Sequence, residues 1–262
     1  MMAGMLRWLI PTVLCLGVVA SSRGEWVLGE RRELAKLAAG AVAWEVEARD
    51  GSTRAIITGV SFSSANATLR VLDNPPDART GFLDLLRGAG AIAGVNASYF
   101  HEDYRPLGLV VSEGKVIHSF ETAKLLSGVF TVRGHGSMEL VRSSALGKTE
   151  GLREAVQAGP WLVENGEAIP TLNAEKLARR TAVATNGKGE WALVIFSPLT
   201  LAQTGALLSL PHLAGDWKIQ RALNLDGGSS TSLIALENGA PVVQIASFGP
   251  VRNYLAIVPC AR

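Results

Sequence analysis

The sequence predicts an α+β fold: one strand-rich domain with a twisted mixed sheet and a few packing helices. Three observations lead there. Short alternating or wholly apolar runs dominate the 262 residues. Glycine turns of the hairpin kind separate many of them. Only three segments carry an apolar stripe at helical spacing.

In chain order, a leader comes first, at 1–22. Met1 to Arg7 holds one basic residue and no acid, residues 8–20 are apolar, and Val18-Val19-Ala20-Ser21-Ser22 offers small residues for cleavage near 20–22. The apolar run is shorter than the roughly 20 residues of a membrane span. A signal peptide is therefore expected, giving a secreted or periplasmic protein with no stable membrane anchor after cleavage. Cys15 lies in that leader, so Cys260 alone remains and no intrachain disulfide is expected. Residues 23–262 read as a single domain, without linker, low-complexity stretch or solenoid-length repeat.

A helix is expected over 29–39, where Leu34, Leu37 and Ala38 share a stripe, and strands follow at 41–49, 54–62 and 67–72. Asn74-Pro75-Pro76-Asp77 is a surface turn. A second helix, 80–87, carries Phe82, Leu83, Leu85 and Leu86 and stops at Gly88. Strands come next at 91–97, 107–111, 115–118, 128–132, 138–141, 157–163, 180–185 and 191–196. The third helix, 200–210, has Thr200 as N-cap, and strands at 222–225, 232–236, 242–246 and 254–258 complete the chain. Glu113-Gly114, Asn165-Gly166, Asn186-Gly187-Lys188-Gly189 and Asn238-Gly239 read as hairpin turns. The second and third helices each lead into an apolar strand ending in a polar motif. That layout would bring both strand ends to one edge of a sheet, where α/β proteins bind ligands.

A composition of 48% hydrophobic and 18% charged residues is globular. Twenty-five basic residues face 23 acidic ones, with no basic stripe interleaved with aromatics, so no nucleic-acid partner is expected. His101, His118, His135 and His212 are scattered and no cysteine pair accompanies them. No metal site and no cofactor is expected on that spacing. No Gly-x-Ser-x-Gly elbow points to a serine hydrolase.

The most informative stretch is Asn224-Leu225-Asp226-Gly227-Gly228-Ser229-Ser230-Thr231. It delivers a carboxylate at a strand end and then offers backbone N–H groups without Cβ atoms, a concavity suited to an anion. A phosphate beside a bond to be attacked would use both. A turn in which Asp226 bonds the following N–H groups is the plainer alternative. In Gly94-Val95-Asn96-Ala97-Ser98-Tyr99-Phe100, Asn96 ends an apolar run, so its amide either satisfies backbone or faces a ligand. Tyr99 and Phe100 offer either a sugar-stacking surface or core. Gln157 precedes the Gly159-Pro160 punctuation. Arg180, after Arg179, and Arg252 can each hold a phosphate bidentately or pair with a nearby acid, Glu175 in the case of Arg180.

Together these segments resemble the phosphodiester glycosidase family (the N-acetylglucosamine-1-phosphodiester α-N-acetylglucosaminidase-like domain) over residues 90–260. The resemblance rests on the segments just quoted, on Arg180-Thr181-Ala182-Val183 and Arg252-Asn253, and on Pro106-Leu107-Gly108-Leu109-Val110 with Gly114-Lys115. It implies a hydrolase that cleaves the glycosidic C–O bond of a sugar-1-phosphodiester, of a bacterial type associated with exopolysaccharide. A phosphodiester leaving group is already a stable anion and needs little protonation, so one carboxylate can suffice where ordinary glycosidases use two. On that reading Asp226 is base or nucleophile and Asn96 orients sugar or phosphate as a second catalytic residue. Arg180, Thr181, Gly227, Gly228, Ser229, Ser230, Arg252, Gln157 and Asn224 bind substrate and phosphate. The family commonly reads Asn-Gly-Gly-[Phe/Tyr]-Phe where this chain has Asn96-Ala97-Ser98-Tyr99-Phe100. Alanine and serine take positive φ only at a cost. A redrawn loop, altered specificity or reduced activity is expected from that departure. The rival readings are a noncatalytic envelope module that binds polysaccharide and a phosphodiesterase that cuts P–O.

Overall fold

The computed structural model describes residues 25–78, 80–134 and 136–260, so the expected leader lies outside it. The first strands are β1 Val27–Leu28, β2 Arg32–Lys36, β3 Val42–Asp50, β4 Thr53–Ser63 and β5 Ala67–Asp73. Helix α1, Phe82–Gly88, leads to β6 Ala93–Asn96, β7 Val110–Ser112, β8 Lys115–His118, β9 Gly128–Arg133 and β10 Met138–Arg142. Then come β11 Leu152–Ala158, β12 Trp161–Glu164, β13 Glu167–Ala168, β14 Ala178–Thr185 and β15 Glu190–Leu199. Helix α2, Leu201–Leu208, precedes β16 Arg221–Asn224, β17 Leu233–Glu237, β18 Ala240–Ile245 and β19 Asn253–Pro259.

These strands form three sheets rather than one. The first runs β1-β3-β4-β15-β14-β16-β12-β13, with β2 also on β3. The second runs β10-β9-β11-β7-β8 and the third β18-β17-β6-β19-β5. The pairings among the described residues are antiparallel throughout, from β1–β3 to β7–β8, so the architecture is mainly β and the expected mixed sheet is corrected. Tight turns supply the reason. Glu113 and Gly114, Asn165 and Gly166, and Asn238 and Gly239 all have φ between 51° and 82°. Two consecutive left-handed residues match the strand twist and fold the chain back antiparallel.

Three further expectations change. The helix expected over 29–39 is strand β2 followed by a 3-10 turn, Ala38–Gly40. Pairing with β3 satisfies its backbone, and Leu34 and Ala35 pack against the core as part of an edge strand. The strand expected at 157–163 is two strands in two sheets, β11 and β12, broken at Gly159. A Cβ there would lie 2.0 Å from the Leu125 carbonyl oxygen, so only glycine passes. The β6 and β16 ends do meet, but across the third and first sheets rather than along one edge.

All three sheets contribute to one core. Val60, Leu193 and Leu223 come from the first sheet, Phe130, Val132 and Val156 from the second, and Leu69, Val95 and Leu255 from the third. Strand β15 alternates: Trp191, Leu193 and Ile195 face this core, while Ala192, Val194 and Phe196 face a second cluster with Leu207 and Leu208 of α2. A strand buried on both faces reads as a continuous apolar run. Helix α2 begins with a reciprocal cap, Gln203 N–H to Thr200 Oγ1 at 3.2 Å and Thr200 N–H to Gln203 Oε1 at 2.9 Å.

Candidate functional site

Strand β16 ends at Asn224, and the chain turns through Leu225 and Asp226 toward the end of β6. Two hydrogen bonds fix the Asp226 main chain there. Its N–H donates to the Ala97 carbonyl at 2.9 Å, and its own carbonyl accepts from Asn96 Nδ2 at 2.6 Å. The Asp226 carboxylate accepts the Gly227 N–H at 2.8 Å and is also bonded by the Ser230 hydroxyl. Burial raises its pKa above the ordinary aspartate value, and those two donors oppose the rise. Gly227 sits where a Cβ would come within 2.7 Å of the Arg179 carbonyl oxygen, so the turn packs directly on the start of β14.

The anion cradle expected from the amides of 227–230 is therefore half used by the protein. Gly227 N–H serves Asp226 itself, and Ser230 N–H closes the turn on the Gly227 carbonyl at 3.2 Å. The Gly228 and Ser229 N–H groups have no protein acceptor among the described residues. Ser229 is exposed and offers its carbonyl to Phe248 N–H at 2.7 Å. The turn that Asp-Gly makes on its own and the site expected for a ligand are one object here.

Asn96 is completely buried. Its Oδ1 accepts from the Thr181 hydroxyl at 2.8 Å and from Ser232 N–H at 3.0 Å, while Nδ2 holds the Asp226 carbonyl. Both ends of the amide are thus turned into protein, and Asn96 holds the Asp226 main chain. Thr181, also completely buried, is its support and not a ligand-facing hydroxyl.

Tyr99 is the residue that the sequence left between sugar platform and core. Its hydroxyl donates to the Gly159 carbonyl at 2.5 Å and accepts from Asn224 Nδ2 at 2.7 Å. Burial, and then the nearby Asp226 charge, push its pKa well up, so it stays neutral. Asn224 also reaches the carbonyls of Gly159 and Leu225, at 3.0 and 2.6 Å, and its buried Oδ1 has no partner among the described residues. Phe100 stacks on Tyr104 at 5.4 Å.

The arginines divide. Arg180 is buried, with Nε on the Leu199 carbonyl at 3.0 Å and Nη2 on the Lys176 carbonyl at 2.6 Å. Among the described residues no carboxylate pairs with it, Glu175 included, and its positive charge is felt at Tyr99. Arg252 is bound to Asp73 through both terminal nitrogens, which leaves it no free fork for a phosphate. Gln157 is a buried clip, taking Leu109 N–H at 2.9 Å and Glu121 N–H at 3.1 Å and donating to the Glu121 carbonyl at 2.7 Å. It lies in the second sheet and binds loops, not the Asp226 turn.

The Ala97-Ser98 departure has a plain outcome. Neither residue has positive φ, both are buried, and Asn253 braces them by accepting Ser98 N–H at 2.9 Å and donating to Ser98 Oγ at 2.7 Å. No glycine conformation is required at either position. Asn253 was visible in sequence only as the companion of Arg252, and its role needed the pairing of β19 with β6 to appear.

A phosphodiester glycosidase family model matches residues 89–258. Among solved structures, the catalytic domain of zebrafish N-acetylglucosamine-1-phosphodiester α-N-acetylglucosaminidase, described as auto-inhibited by its pro-peptide, superposes with a TM-score of 0.58. The two are 16% identical, over 91% of this chain and 85% of that one. A hypothetical protein from Synechocystis gives a TM-score of 0.56 at 16% identity, over 83% of this chain and 62% of that one. These two likenesses show a shared fold. No curated protein matches.

Proposed function

The chain belongs to the phosphodiester glycosidase family, and from that premise we propose that it hydrolyses the glycosidic C–O bond of a sugar-1-phosphodiester at Asp226. The observation that carries this is the carboxylate at the end of β16. It is held by its main chain on both sides, is half-buried, and keeps only a turn amide and one hydroxyl as donors. A carboxylate so fixed is preorganised to act on an anomeric carbon, as base toward water or as nucleophile. The departing phosphate needs no acid, and two unsatisfied N–H groups, of Gly228 and Ser229, stand beside it in the same turn. Tyr99 lies within the field of Asp226 and is bonded to Asn224, and the Arg180 guanidinium supplies positive charge inside the fold. A glycan-derived substrate outside the cytoplasm, exopolysaccharide among them, is the form of this proposal that accords with the expected leader.

Turnover of a panel of sugar-1-phosphodiesters tests it. Wild type is expected to release the phosphomonoester, and Asp226→Asn to lose roughly a thousandfold or more in kcat while staying folded. Unchanged turnover in a folded Asp226→Asn protein removes Asp226 from the chemistry. Reaction in ¹⁸O-water separates the bond cleaved: label in the sugar means C–O, label in the phosphate means P–O.

A further inference from the structure

The Asp226 turn carries a neighbour that neither Arg180 nor Arg252 can replace. Phe248 is 80% exposed, far more than a large aromatic side chain needs to be, and its N–H is tied to the Ser229 carbonyl at 2.7 Å. The Arg179 guanidinium lies over its ring, Cζ 4.8 Å from the centroid. Among the described residues its two terminal nitrogens reach only the Ala246 carbonyl, each at 3.4 Å, the weak end of hydrogen bonding. Among the described residues no carboxylate pairs with it. The Arg179 backbone meanwhile touches Gly227, so this side chain springs from the wall of the turn itself. Beside the pair is a hollow of about 390 Å³ lined by Ile56, Ile195, Pro198 and Ala246 as well as Arg179 and Phe248. It is an apolar recess with one uncompensated cation at its mouth.

Resting on the reading of Asp226 as the reaction centre, we propose that Arg179 and Phe248 form the leaving-group seat, with the phosphate on the guanidinium and an apolar alcohol in the hollow. The substrate class is then a sugar-1-phosphodiester whose second ester is to a long-chain or aromatic alcohol, not to a second sugar. A guanidinium stacked on a ring keeps its edge donors free for a phosphate while the ring covers apolar substrate. Burial separates the two arginines: Arg180 is buried with its guanidinium on the Leu199 and Lys176 carbonyls, whereas Arg179 is half-buried at the irregularity in the β14–β15 register between Ala178 and Arg180.

The experiment measures binding and turnover separately. Calorimetric titration of the wild-type protein with octyl phosphate and with inorganic phosphate is expected to show at least about tenfold tighter binding of the octyl ester, from burial of its chain. Arg179→Gln and Phe248→Ala, both at sites outside the core, are each expected to remove most of that binding. Equal affinity for the two ligands, or a preference that survives both substitutions, overturns the seat. Turnover of phosphodiesters together with that result sinks this inference alone. Octyl phosphate binding lost in both variants, with no phosphodiester turned over, keeps the seat and sinks the reading of C–O cleavage.

Discussion

Asp226 combines two opposing demands at one residue. Burial favours its protonated form, whereas the proposed action as base or nucleophile requires the anion. Because its folded pKa is raised above the unfolded one, the folded state holds the proton more tightly. Its contribution to stability is thus fully present at low pH and is lost as pH rises through the folded pKa. Asp226→Asn should therefore raise the melting temperature at pH 7 while abolishing turnover, a stability gain at the proposed reaction centre. A lower melting temperature for a well-folded variant would contradict this. The acid limb of kcat/KM should lie above the ordinary aspartate value of 3.8. Asn96 has the opposite character. Asn96→Ala would strand the Thr181 hydroxyl, the Ser232 N–H and the Asp226 carbonyl, costing about 3 kcal/mol in urea denaturation, since each orphaned buried group costs on the order of 1–3 kcal/mol.

Among the elements, β5 shows how a free sheet edge is managed. It ends the third sheet, yet its outward groups are taken by side chains of the second. Leu69 N–H meets Met138 Sδ at 3.3 Å, Val71 N–H meets Glu154 Oε2 at 2.9 Å, and the Val71 carbonyl accepts Ser112 Oγ at 2.7 Å. Such cover prevents edge-to-edge pairing with another chain. Glu154 is almost fully buried in this seam, and burial lifts its pKa from 4.5 to about 7, against the Val71 bond and the charges of Arg70 and Arg153. With the folded pKa raised, stability from this group is fully present below pH 4.5 and falls as pH climbs through about 7. Glu154→Gln should flatten that fall, which is on the order of 3 kcal/mol, in denaturant midpoints measured from pH 4 to 8. An unchanged slope would mean that the seam does not titrate. At the other side of the first sheet, Thr200→Ala removes one half of the α2 capping box, and a loss of about 1 kcal/mol is expected.

For the molecule as a whole, one core joins the three sheets, so unfolding should be a single cooperative transition. Phe130 is its test. It is completely buried on β9 and meets Trp191 of the first sheet edge-on, with centroids 5.9 Å apart. Phe130→Ala should cost about 3–5 kcal/mol and lower the denaturant midpoint without splitting the transition. Two resolved transitions would show that the sheets unfold apart. The same core positions the candidate site, because Val95, one residue before Asn96, and Leu225, one residue before Asp226, both belong to it.

Much was legible in the residues alone. Both later helices, the turn glycines and most strands follow from short-range rules, because a left-handed residue pair, an N-cap threonine or a period of two is decided by neighbours along the chain. The Asp226 turn was also legible, since a carboxylate between a strand end and two glycines bonds the N–H that follows it. Tertiary structure decided the partners. Residues 29–39 carry a helical stripe yet pair as an edge strand, because β3 lies beside them. Asn96, Thr181 and Gln157 read as ligand-facing polar groups yet face buried backbone and one another, since a buried amide must be satisfied wherever the fold puts it. Arg180 is buried and Arg179 only half-buried, a difference that two adjacent identical letters do not carry. Sequence states which groups exist and how they are spaced, but burial and hydrogen-bond partners come from segments over a hundred residues apart, and only the packed chain brings those together.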